Sequence, residues 1–243
     1  MKQFFIVIFL LLFSKTVCSQ NVIDYYKGIN KAKVFAIENE FDLAIESYKQ
    51  TFKSCDFAFA RDCYNAIELS SAMNDSVSLN YFLQKAICLG IKISDIETAG
   101  LINGYENAYF YQRILQNADS LENEYIKRVN WQIRAEINQM FYDDQKKRDE
   151  YYAAHFFKRH KIKREWEQLN KEQVEKLIQI TKKHGFPGER LIGLDRTSMH
   201  LKAQTSNYSA GMPIVILIHY YSSPNPSFDY LLLNEVKKGN IFN

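Results

Sequence analysis

Apolar positions along this chain recur mostly at helical spacing, and their pattern changes character several times. The first feature is an unbroken apolar run from Phe4 to Phe13, preceded by Lys2 and followed by the polar Ser14 and Lys15. Between residues 25 and 92 the pattern repeats itself weakly. Ala32 and Ala66, Ala44 and Ser78, and Tyr48 and Phe82 are each separated by 34 positions. That is the period of a helix–turn–helix tetratricopeptide unit, in which small residues let helices approach and aromatics fill between them. The segment NEFDLAIESYKQTF carries the clearest part, with Gly100 at the start of a degenerate third unit. Two clear units are fewer than a free-standing solenoid needs, so they are expected to pack against other parts of the chain.

From Asp119 the spacing predicts one long amphipathic helix. Leu121, Tyr125, Val129, Ile133, Ile137, Met140 and Phe141 form its apolar stripe. Continued, the same stripe meets Asp144, Gln145, Arg148, Tyr152 and His155. Either the helix projects into solvent there, or these polar groups line a site and bond one another. The basic run Lys158 to Arg164 follows, which could touch an anionic surface but reads first as a solvated helix end. Asn170, with Gln173 three residues on, predicts a capped helix start, and Gly185 its end. GFPGERLIG (185–193) then forms a tight turn. It lacks the Lys-Ser/Thr of a P-loop and the three glycines of a dinucleotide fingerprint, so it is not a phosphate cradle. Residues 195–211 read as an irregular loop. Pro213 opens a buried helix in PIVILIHYYSS, although its β-branched residues also suit a strand. Asn225-Pro226 restarts a helix through Leu232 and Val236, ended by Gly239, and the two segments form a helical hairpin across SSPNP.

The predicted fold is therefore mainly all-α: degenerate repeat-like helical hairpins, then a long helix and a C-terminal helical domain. Its divisions are a signal peptide at 1–19, the repeats at 20–118 and the helical domain at 119–243. Composition agrees, since only 9 glycines and 4 prolines interrupt the 243 residues.

Lys2 and the run to Phe13 make a secretion signal, and Val17 and Ser19 suit the −3 and −1 positions of its cleavage, leaving Gln20 first. The run is shorter than the roughly 20 residues a spanning helix needs, so no membrane span is expected after cleavage. Cys18 raises a lipoprotein alternative, which the Lys15 and Val17 flanks do not suit. The net charge of +3 includes Lys2 and Lys15, leaving +1 with both signs interspersed. That balance gives no global attraction to nucleic acid. Export to the periplasm or cell surface would also permit disulfides. Cys55, Cys63 and Cys88 are the candidates, as Cys63–Cys88 or Cys55–Cys63, expected to gather at one end of the repeats; equally they suit three small buried apolar residues. No Cys/His ligand spacing appears, so neither a metal nor a cofactor is expected.

Candidates for chemistry are few. No serine-nucleophile elbow, zinc-protease helix or calcium loop occurs. His155 and His160 are five apart and do not share a helical face. His219 interrupts the apolar run Ile214 to Ile218. It is either a core histidine satisfied by a hydrogen bond or a general base whose ring needs an orienting partner. Asp144, Gln145 or Arg148 could supply one if the long helix packs against the hairpin.

Asp144-Gln145 with Arg148, then Asn170, GFPGERLIG, Ile216-Leu217-Ile218-His219, Leu232 and Glu235-Val236 before Gly239 make an ordered set. From about residue 135 onward it resembles the bacterial exported proteins that carry domain of unknown function 6624, which degenerate helical repeats with paired cysteines often precede. That family has no established activity, so the resemblance implies an architecture and not a reaction. In two places the chain departs from it: Tyr220 stands where a second histidine is frequent, and the family's onward segment is missing after Asn243. If that segment completes a site, the resemblance implies a truncated or inactive member.

Two functions are expected. The first is a non-catalytic interaction or scaffold protein of the bacterial envelope, its repeat groove binding a peptide or another envelope protein. The second is a hydrolase-like enzyme with His219 as base, Arg148 as anion clamp, and Gln145 and Asn170 as positioning groups beside Asp144.

Overall fold

A computed structural model of the chain describes residues 17–195, 210–220 and 226–241. Among these residues it is all-helical, with twelve helices and no strand. The chain divides into two compact units, the first chiefly residues up to Ala118 and the second chiefly Asp119 onward. No helix among the described residues is long and apolar enough to cross a membrane. The apolar run Phe4–Phe13, most of the 195–211 segment and most of SSPNP lie outside the described residues.

The first unit begins with α1 (Val17–Ile37) and α2 (Phe41–Ser54), followed by α3 (Ala60–Ala72) and α4 (Ser76–Cys88). The turns after α1 and α3 each place an asparagine in the left-handed region, Asn39 at φ 63° and Asn74 at φ 53°. Asparagine tolerates that conformation better than other side chains, so both turns can be tight. These turns lie 35 positions apart, one more than the spacing of the apolar pairs. Ala32, Ala66, Ala44, Ser78, Tyr48 and Phe82 are all buried. Gly28 lets α1 approach α2, because a Cβ there would run into the Thr51 hydroxyl. Tyr25 stacks on Phe52 at 6.4 Å, and Phe52 meets Phe82 edge-on at 5.7 Å, so one aromatic chain crosses the core. The Tyr25 hydroxyl donates to buried Asp62 (2.8 Å), which Lys33 approaches at 3.3 Å. Two short helices, α5 (Ile93–Thr98) and α6 (Tyr109–Gln116), follow.

The second unit holds α7 (Ala118–Arg128), α8 (Trp131–Ala153), α9 (Phe156–His184), α10 (Glu189–Ile192), α11 (Met212–Tyr220) and α12 (Pro226–Lys237). The single helix expected from Asp119 is two. Asn130 interrupts it by capping α8, its side chain accepting from the Ile133 amide at 3.1 Å. Nor does a helix start at Asn170: α9 runs unbroken through it for 29 residues. α8 and α9 form an antiparallel hairpin, cross-linked by Lys147–Glu165, Asp144–Trp166, Gln173–Met140 and Lys176–Glu136 contacts. Helix α11 packs against both, which settles Pro213 and its neighbours as helix. Ile137, Leu177, Phe186, Ile192, Ile216 and Phe228 form the centre of the core.

Candidate functional site

The helical stripe of α8 changes from apolar to acidic at Asp144, one turn beyond Met140. Its carboxylate is nonetheless buried, with its side chain 2% exposed. An ionised carboxylate in such a place must be supplied with donors, and it has two, with an imidazole beside them. The Trp166 indole N–H donates to Oδ1 at 2.7 Å and the Gln145 amide to Oδ2 at 2.7 Å. His219 Nε2 stands 3.1 Å from Oδ1. That contact is an ion pair when the imidazole is protonated.

Three helices thus meet on one carboxylate: α8 through Asp144 and Gln145, α9 through Trp166, and α11 through His219. Burial pushes the Asp144 carboxyl up, but the His219 and Trp166 contacts, the His219 charge and the Gln145 amide outweigh it, so it titrates below the ordinary range. Trp166 also meets the His219 ring edge-on at 6.4 Å and lies tilted against Tyr151 at 6.0 Å, walling one side of the pair with aromatic surface. The His219 side chain keeps 20% of its exposure, while its Nε2 is buried.

The other predicted site residues are placed differently. Arg148 is exposed and pairs with its neighbour Asp149 at 3.5 Å. Asn170 lies one turn along α9 from Trp166, and its buried Oδ1 has no hydrogen-bond partner among the described residues. Gln173 follows at the next turn; its amide donates to the Met140 carbonyl at 2.6 Å while its Oε1 is likewise unsatisfied among the described residues. His155 is the residue before α9, not a member of α8. Cys55 follows α2, Cys63 lies buried in α3 with its thiol donating to the Phe82 carbonyl at 3.3 Å, and Cys88 closes α4. Among the described residues no three His, Cys, Asp or Glu side chains gather as a metal ion would require.

No protein-family model, curated protein or solved structure matches the chain.

The GFPGERLIG segment has a structural task. Its Phe186 amide donates to the buried Glu235 carboxylate at 2.8 Å, and Glu235 also accepts from the Asn240 side chain at 2.7 Å. Arg134 reaches the Tyr125 hydroxyl (2.8 Å) and the carbonyls of Ile192 (3.1 Å) and Leu194 (2.5 Å). Asp195 then accepts from the Met212 amide at 2.6 Å and so caps the helix that carries His219. The segment's backbone is held by side chains, where a phosphate cradle would point amides at a ligand. Sequence reasoning missed Trp166, Arg134 and Asp195. The signal for Trp166 is a large aromatic inside the charged run KREWEQ, at i, i+4 and i+7 spacing with Asn170 and Gln173.

As chemistry, Asp144 places a carboxylate 3.1 Å from Nε2 of the His219 imidazole. To act as a general base it would also need a substrate proton within reach and a group to stabilise developing charge. Arg148, the residue expected to supply that charge, is engaged with Asp149.

Proposed function

We propose that this chain is an exported, non-catalytic interaction protein of the bacterial envelope. Residues 20–118 act as a repeat-like binding module, and residues 119–243 as a helical scaffold closed by Asp144, Trp166 and His219. The observation that carries this reading is apolar exposure at the two asparagine turns. Leu43 and Val77, 34 positions apart, are both exposed, Val77 at 73%. Ile37, at 80%, and Met73 flank the same turns. Large aliphatic groups kept in water at equivalent positions favour a partner that covers them, such as an apolar peptide segment of another envelope protein.

The test places a photo-crosslinking residue at Leu43 or at Val77 in cells that make the protein. One defined adduct from both positions, abolished by Ile37→Asp, is the expected result. Diffuse labelling, or an adduct indifferent to Ile37→Asp, would contradict the proposal. Export is tested separately by the mass of the product outside the cytoplasm, which should begin at Gln20; an intact chain retained inside would overturn it.

One observation favours the hydrolase-like alternative: the His219 imidazole lies 3.1 Å from a buried carboxylate, and its side chain is only partly buried. In that reading His219 is the base, Asp144 and Gln145 position it, and Arg148 must leave Asp149 to clamp an anion, with Asn170 contributing its buried amide oxygen. Hydrolysis of activated esters that is lost in His219→Ala at unchanged stability would favour it.

A further inference from the structure

The turn between α8 and α9 presents a surface that the proposed interaction module does not use. Two consecutive phenylalanines stand almost fully in water there, Phe156 at 77% and Phe157 at 83% exposure, with Tyr152 exposed beside them. They form an ordered cluster. Phe157 stacks on His155 at 5.5 Å and meets Phe156 edge-on at 5.7 Å. Arg159 braces the turn from behind, donating to the carbonyls of Ala154 (3.0 Å) and Tyr152 (3.4 Å). The segment 156–164, FFKRHKIKR, carries five Lys and Arg and no acidic residue. Acidic neighbours neutralise part of this charge: Glu165 pairs with Lys161 and Lys147, and Glu167 with Lys163. Lys158 and Arg164 are in no ion pair among the described residues, and both are exposed.

We propose that this tip docks on an anionic phospholipid surface, with Phe156 and Phe157 entering the headgroup–acyl boundary and the adjacent cations facing lipid phosphates. Charge complementarity and apolar exposure select this occupant together. A polyanion such as nucleic acid offers counter-charge but no apolar phase for two benzyl groups, and an apolar peptide offers no charge. A bilayer containing anionic lipid supplies both within one side-chain length, and stable interfacial binding generally requires both signals. No span is involved: the aromatic pair would sit in the interface, as amphipathic anchors do.

The experiment uses the chain as recovered from producing cells and sedimentation with vesicles of phosphatidylcholine, alone or mixed with phosphatidylglycerol. Binding to the mixed vesicles should be at least about tenfold tighter and should weaken with salt, as expected for several screened cations. Phe156→Ser with Phe157→Ser should lose about tenfold of that affinity at unchanged melting temperature. Lys158→Gln with Arg164→Gln should remove most of the preference for phosphatidylglycerol. Because vesicle binding could arise elsewhere in the chain, a local probe decides: the Phe157→Trp variant should gain blue-shifted emission that brominated lipid quenches. Equal binding by the double-serine variant, or added emission from Phe157→Trp that lipid leaves unmoved, would each overturn the proposal.

Discussion

Replacing Asp144 by alanine removes the one acceptor shared by Trp166, Gln145 and His219. If the pair is a lock, its loss should destabilise the second unit and spare the first. The Trp166 indole would lose a bond to a charged acceptor at 2.7 Å and be left partly desolvated, a change worth about 1.5–3 kcal/mol. The His219 contact adds its electrostatic part, and Gln145 can turn its amide toward water at small cost because it is only half-buried. The expected loss is therefore about 1.5–3 kcal/mol, carried mainly by the indole bond. Tryptophan emission during urea unfolding reads this cleanly, because both tryptophans of the chain, Trp131 and Trp166, lie in the second unit. In a double-mutant cycle Asp144→Ala and His219→Ala should couple by about 1–3 kcal/mol. A loss under about 1 kcal/mol for Asp144→Ala, or additivity with His219→Ala within about 0.5 kcal/mol, would refute the lock.

Four further outcomes follow from the same contacts. Folding lowers the Asp144 pKa, so its stabilisation is present above the unfolded carboxylate value of about 3.9 and is lost as pH falls through the lower folded value; Asp144→Asn should flatten the acid limb of the stability profile there. Asp75 accepts from the Ser78 amide at 3.0 Å at the start of α4, so Asp75→Ala should cost about 1 kcal/mol in the first unit, followed by circular dichroism. Gly188→Ala would drive a Cβ into the Asn240 carbonyl oxygen, and backbone cannot yield as a side-chain tip can; the second unit should lose about 1–3 kcal/mol in the same urea assay. At Asn39 and Asn74, both at positive φ, glycine should be neutral or slightly stabilising, whereas alanine should lower the melting temperature of the first unit.

The helical class was legible because apolar residues at 3.6-residue spacing, with few glycines and prolines, leave little room for strands. Particular boundaries were hidden for identifiable reasons. The apolar stripe from Leu121 to Phe141 runs straight through the break at Asn130, and the local sign of the break is an asparagine three positions before Ile133. Asn170 imitates a helix start because Asn-x-x-Gln is a capping pattern, yet α9 had already formed across an exposed, charged stretch that carries no apolar stripe. Pairs such as Lys161–Glu165 and Lys163–Glu167, together with the contact to α8, support it there. Of the site, Asp144, Gln145 and His219 could be singled out as polar residues on apolar faces. Their convergence depends on α11 returning to pack on α8 and α9, a long-range fact that no spacing encodes. Arg148 shares the face of Asp144 by helical arithmetic but ends in solvent, beside Asp149.

His219 serves either architecture or chemistry, and His219→Ala measured for melting temperature and biological function in parallel separates the two. The prediction is a melting temperature lowered by several degrees, as a loss of about 2 kcal/mol would give in a unit of this size, with full function at temperatures where the variant remains folded. An unchanged melting temperature with function abolished would contradict it and make His219 part of an active site.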